Sequence, residues 1–137
     1  MILLNCTYCR TAHTKLLNIL WTKGLQKHFD DSEPAIPITV IAVHPGVVKT
    51  FRKVDSPITV RLFVHVLGVR PAQGAYNPVF AAASKRVAVE RDRYKGKYIE
   101  PKPQIGTVAV PSPVADSDQN AEDLWKITQE FLEKKGL

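Results

Sequence analysis

Ile38-Thr39-Val40-Ile41-Ala42-Val43-His44-Pro45-Gly46-Val47-Val48-Lys49-Thr50 decides the fold. From Ile38 to His44 nearly every residue is apolar and most are β-branched, and only Thr39 interrupts the run, so no face is left polar for water. A strand covered on both sides in this way belongs inside a parallel α/β sheet. Pro45 withdraws a backbone donor and Gly46 allows a conformation that a Cβ would forbid, so the chain turns sharply at the carboxyl end of the strand. Ligands of open α/β sheets bind outside that end.

Upstream, residues 11 to 29 have a helical period. Leu16, Leu17, Leu20, Trp21, Leu25 and Phe29 recur at spacings of three to five, while Lys15, Lys23, Gln26 and Lys27 are expected to point elsewhere. Asp30 to Pro34 is a polar connection, and Pro34 and Pro37 keep the approach to the strand extended. Downstream, Lys49 to Pro57 reads as a loop. Ile58 to Leu67 is an apolar run whose β-branched residues favour a strand. Pro71 opens a helix over residues 71 to 84, with Ala72, Ala75, Val79, Ala82 and Ala83 as a small-residue packing face and Pro78 as a kink. Arg86 to Lys97 is charged and expected at the surface, Gly96 to Glu100 is a last strand, and Ile105 to Asp118 is a loop. The final helix is capped by Asp116, Ser117 or Asp118, with Leu124, Trp125, Thr128, Phe131 and Leu132 as its buried stripe.

A chain of 137 residues fits one domain, and 45% apolar with 23% charged residues is an ordinary globular balance. The net charge of +6 comes from scattered cations without an aromatic-basic strip, so nucleic acid is not the expected partner. Cys6 and Cys9 form a lone C-x-x-C with no second pair of ligands, so no metal is expected and the thiols read as reduced. Ile58 to Val69 is too short, with Arg61 and His65 inside it, to span a bilayer. The expected setting is cytoplasmic, with association at a membrane surface as the alternative.

Four motifs, in order over roughly residues 10 to 135, resemble those of the short-chain dehydrogenases/reductases. His44 to Thr50 looks like the Pro-Gly motif that borders the nicotinamide, and Thr14-Lys15-Leu16-Leu17-Asn18 resembles the Ser-Lys-x-Ala-Asn segment of the active-site helix. Arg70-Pro71-Ala72-Gln73-Gly74-Ala75 and Gly96-Lys97-Tyr98-Ile99 resemble a helix start and a strand of the retinol-dehydrogenase-like members. The resemblance implies a single domain, 1–137, that corresponds to the C-terminal half of the family and is truncated at its amino terminus. It also implies an α/β fold with a partial Rossmann-like, doubly wound parallel sheet and flanking helices, in which Ile58 to Leu67 is a substrate-covering helix. The implied activity is NAD(P)-linked oxidoreduction of a small hydrophobic alcohol or carbonyl compound, with NADP or NAD as cofactor. Lys15, Pro45, Gly46, Val48 and Thr50 are the implied nicotinamide-side contacts, and Lys15 the implied catalytic lysine.

The pattern departs from the family in two places. Four residues before Lys15, where the family has a tyrosine, stands Thr11, whose aliphatic hydroxyl is a far weaker acid than a phenol. Tyr8 is the nearest phenol, seven residues before Lys15 and about 10 Å away along an ideal helix. The second departure is that no Gly-rich phosphate loop occurs, since Gly68, Gly74, Gly96 and Gly106 are dispersed. The alternative function is therefore a catalytically inactive binding or assembly protein, or a truncated gene product. In that reading a second copy or a partner chain covers the exposed sheet edge.

Overall fold

The computed structural model describes residues 7–49 and 58–136. The chain is a mixed α/β protein of eight helices and three short strands among these residues. It divides into two compact units: Met1–Ala42 with Asp92–Tyr98 and Val110–Leu137, and Val43–Arg91 with Ile99–Ala109. Strands β1 (Ala42–Val43), β2 (Tyr98–Glu100) and β3 (Thr107–Ala109) lie in that order in one sheet. The Ala42 N–H donates to Lys97 O and the His44 N–H to Ile99 O, both at 2.9 Å. Both partners advance by two residues, so β1 and β2 are parallel. The link from β2 to β3 is too short for a parallel crossover, so that pair is antiparallel.

In the first unit, helix α1 (Thr7–Asp31) packs on the last helix, α8 (Asp118–Lys134). Gly24 lets the two approach: a Cβ there would stand 3.3 Å from Ala121 O. Trp21 and Trp125 stack across the contact with centroids 4.7 Å apart, and His28 also stacks on Trp125 at 4.9 Å. Ser117 caps α8 by accepting the Asn120 N–H, as the sequence pattern predicts. The stripe itself differs from expectation, because Ala121 is buried and Phe131 is exposed.

Helix α1 also differs from its expected single stripe. Leu20, Thr22, Gly24 and Gln26 are all buried, which places buried positions on two sides of the helix. The helical period turns Gln26 away from the apolar stripe. Instead its Oε1 accepts the Val40 N–H at 2.8 Å, and its Nε2 donates to Ile38 O at 3.3 Å and to Asp30 Oδ1 at 3.0 Å. A side chain thus occupies the backbone groups that strand pairing would have used, and β1 shrinks from the expected Ile38–His44 to Ala42–Val43 with Ile38 exposed.

In the second unit, Ile58–Leu67 forms helix α2, so the helical reading implied by family resemblance overrules β-propensity. The expected helix over 71 to 84 is broken into α3 (Pro71–Gly74) and α4 (Tyr76–Ala83). The break is at Ala75. Pro78 sits in the first turn of α4, where its missing donor is harmless, and it therefore ends nothing. The expected small-residue face is exposed, and the buried positions are Gly74 and Asn77. Residues 86 to 97 hold α5 (Lys85–Val89), with Val87 buried, and then α6 (Arg91–Tyr94), which from Asp92 onward belongs to the first unit and buries Tyr94 there. The expected loop from Ile105 to Asp118 contains β3 in the second unit and α7 (Pro113–Asp116) in the first.

Candidate functional site

The turn expected after β1 is present in the second unit. Gly46 has φ of +81°, a conformation that a side chain makes costly, and its N–H donates back to His44 Nδ1 at 2.9 Å. A Cβ on Gly46 would also meet Pro101 Cγ at 3.3 Å. His44 is thus a satisfied residue at a strand end, as its position suggests. Beyond the turn, the backbone is held from one side: the Val69 N–H donates to Val47 O at 2.8 Å and the Lys49 N–H to Val69 O at 2.9 Å, making a parallel bridge between Val48 and Val69. Val48 lies against α3 at Gly74, where a Cβ would stand 2.5 Å from Val48 Cγ2. The Pro-x-x-Gly pattern of Pro71 to Gly74 is explained by that contact: Pro71 starts the helix and Gly74 makes room for Val48.

Asn77 is the residue that sequence reasoning missed. It is 1% exposed, and its amide reaches three separate segments. Nδ2 donates to His44 O at 2.8 Å and Ile99 O at 3.3 Å, and Oδ1 accepts the Gly106 N–H at 2.8 Å. One side chain thereby joins the end of β1 and the middle of β2 to the residue before β3, next to the Pro45-Gly46 turn. The only local signal was a polar residue before a proline in an otherwise apolar run. Thr50 lies outside the described residues.

In the first unit, Thr11 and Lys15 are exposed along α1 one turn apart. Helix α1 begins at Thr7, so Tyr8 belongs to the same regular helix as Lys15 and the separation of about 10 Å along the axis applies. The Thr11 carbonyl accepts the Thr14 hydroxyl at 2.8 Å. Lys15 belongs to the first unit and Pro45, Gly46 and Val48 to the second.

The charged cluster of the first unit lies further along α1. An open cavity of about 430 Å³ is lined by Lys23, Gln26, Lys27, Asp30, Lys95 and Asp118 among others. Three of its cations are already paired: Lys23 with Asp118 at 2.8 Å and Asp116 at 3.3 Å, Lys27 with Glu122, and Lys95 with Asp92 at 3.1 Å and Asp30 at 3.4 Å. Burial pulls the Lys23 ammonium down, but its hydrogen bonds to Asp118 and Asp116 and their charges outweigh this and hold it above the usual lysine value. The same hydrogen bond and charge hold the Asp118 carboxyl below its usual value. These pairs join helices, and none of the expected site residues lines the cavity. Among the described residues no group of His, Cys, Asp and Glu could hold a metal ion, and no helix is long and apolar enough to cross a membrane.

No family model and no solved structure matches the chain. Several curated proteins do. A short-chain dehydrogenase/reductase of Armillaria gallica is 36% identical over 129 residues, covering 90% of this chain and 39% of its own length. One from Macrophomina phaseolina is 33% identical over 129 residues, covering 93% of this chain and 61% of itself. One from Aspergillus calidoustus is 34% identical over 137 residues, covering 95% of this chain and 42% of itself. The chain therefore spans about two fifths to three fifths of the length of these relatives.

Proposed function

The chain is a part-length relative of the short-chain dehydrogenase/reductases, and on that premise we propose that it forms the nicotinamide side of an NAD(P)-linked oxidoreductase acting on a hydrophobic alcohol or carbonyl compound. The observation that carries this reading is the turn at the carboxyl end of a parallel strand, with Gly46 at positive φ and the His44 carbonyl pinned by buried Asn77. A bound nicotinamide would supply the carbon that gives or takes hydride. Pro45, Gly46 and Val48 offer it a fixed backbone edge, and Thr50 a hydroxyl for the carboxamide. Lys15 supplies a positive charge on the helix, suited to holding a ribose hydroxyl. We take residues 1–137 as one domain of this type.

The residues fit the nicotinamide end of the cofactor and not its pyrophosphate, because the chain's glycines at 24, 46, 68, 74, 96, 106 and 136 make no phosphate loop. Thr11 stands one turn before Lys15 in a regular helix, and no nearby cation makes an aliphatic hydroxyl a proton shuttle at neutral pH. This favours a second reading, in which the chain keeps the fold and binds without catalysing, and a partner chain or second copy completes the sheet.

Titration with NADH and with NADPH, followed by nicotinamide fluorescence and thermal shift, separates the readings. Saturable binding that weakens about tenfold or more in Lys15→Ala supports the first. A cooperatively folded protein that binds neither nucleotide leaves the non-catalytic reading, and hydride transfer undiminished in Lys15→Ala overturns the assignment of that lysine.

A further inference from the structure

Helix α2 carries an apolar stripe that its own unit does not cover. Ile58, Leu62 and Val66 recur every four residues and are 73%, 62% and 66% exposed, and Phe63 and Leu67 beside them are exposed as well. A ten-residue helix is about 15 Å long, half the hydrocarbon thickness of a bilayer, so it can lie on a membrane but cannot cross one.

The charge of the molecule says what covers this stripe. By sequence the second unit holds nine Lys and Arg against three acidic residues, a surplus of six, while the first unit holds ten residues of each sign. The whole net charge of +6 therefore belongs to the unit that bears α2. Two of its cations stand at the carboxyl end of the helix. The stem of Lys49 lies beside Gly68, within 2.9 Å of where a Cβ would be, and Arg70 is exposed two residues further on. Long cationic side chains at the rim of an apolar face keep their heads in the headgroup layer while the face sinks into acyl chains. A second copy of the chain is a poor fit, since docking two such faces would bring surpluses of like charge together.

We propose that α2, with Lys49 and Arg70 at its end, docks the protein on an anionic lipid surface. This stands independently of any nucleotide binding. The test is flotation of the full chain with vesicles of phosphatidylcholine alone and of phosphatidylcholine with phosphatidylserine. Binding is expected to the serine-containing vesicles only, with affinity falling about tenfold or more as salt is raised. Leu62→Glu with Val66→Glu alters exposed positions and is expected to abolish binding with an unchanged circular-dichroism spectrum. Arg70→Glu is expected to weaken it severalfold. Equal binding to neutral vesicles, binding undiminished in the double variant, or no binding at all would each overturn the proposal. So would a dimer that the double variant dissociates in a protein indifferent to vesicles, which would identify a second copy as the occupant.

Discussion

A methyl group added to Gly74 would lie 2.5 Å from Val48 Cγ2, well inside van der Waals contact. Gly74→Ala is therefore expected to cost about 1–3 kcal/mol by overpacking, although alanine favours helix. The clash has one partner, so Val48→Ala in the same chain should recover much of the loss, and a urea double-mutant cycle should show coupling of about 1 kcal/mol or more. Additive effects would remove the contact from the explanation. Asn77 poses a harder problem, because its buried amide serves two acceptors and one donor, of which Ile99 O and the Gly106 N–H lie in buried hydrogen bonds. Asn77→Ala leaves them unsatisfied and should cost about 2–4 kcal/mol, read as a lower urea midpoint. Asn77→Asp keeps the acceptor for Gly106 but sets a carboxylate against the carbonyls of His44 and Ile99. Burial and those carbonyls raise its folded pKa above the unfolded value of about 3.9. The variant's added stability is then present below the unfolded value and lost as pH rises through the folded one, so Asn77→Asp should be more stable at pH about 4 than at pH about 7 relative to the parent. A flat profile would mean that the amide does not face both carbonyls.

Among the elements, the strand followed by a Pro-Gly turn was legible from a run of apolar residues, and so was the cap at Ser117, because both depend on neighbours in sequence. What escaped was long-range. Gln26 replaces a strand partner for Val40, and nothing in the order of residues along α1 says that a backbone fourteen residues away will need its amide. Helix α1 is buried on two sides, which blurs the stripe that periodicity looks for. Asn77 is invisible for the same reason, since its partners at 44, 99 and 106 meet only in the folded chain. At the site, the residues of the turn could be read locally, but the contact that explains Gly74 could not. The joint between α1 and the start of α8 has its own signature in pH. Asp118 is held below its usual 3.8 by Lys23, so its contribution is present above that value and fades as pH falls through the folded one. The side chain is 89% exposed, which limits the effect to about 0.5 kcal/mol or less. Asp118→Asn should remove that part of the decline in stability between about pH 5 and pH 3, and about 0.5 M salt should mask the difference. Lys23 mirrors it: held above 10.5, it contributes below that value and its share is lost as pH rises beyond it.

Across the whole molecule, charge is divided unevenly, and the division makes salt act in opposite directions on the two units. The first unit carries equal numbers of both signs, and its pairs Lys23–Asp118, Lys27–Glu122 and Lys95–Asp30 are attractive. The second carries a surplus of six positive charges, which repel one another. Raising the ionic strength from about 0.05 M to about 0.5 M shortens the screening length from about 14 Å to about 4 Å and weakens both kinds of interaction. Attraction lost loosens a structure, and repulsion lost tightens it. Hydrogen exchange should therefore slow in α2 and α4 as salt is added, while the amides of α1 and α8 near the ion pairs exchange somewhat faster. The changes should be a few fold, because exposed pairs contribute little. Sodium chloride is the right salt for this, since sulfate would also strengthen apolar burial and slow exchange everywhere. A shift of the same sign in both units would show that long-range charge does not set their relative stabilities. It would also weaken the case for an anionic surface as the partner of α2, because that case needs the field of the surplus to reach beyond the second unit.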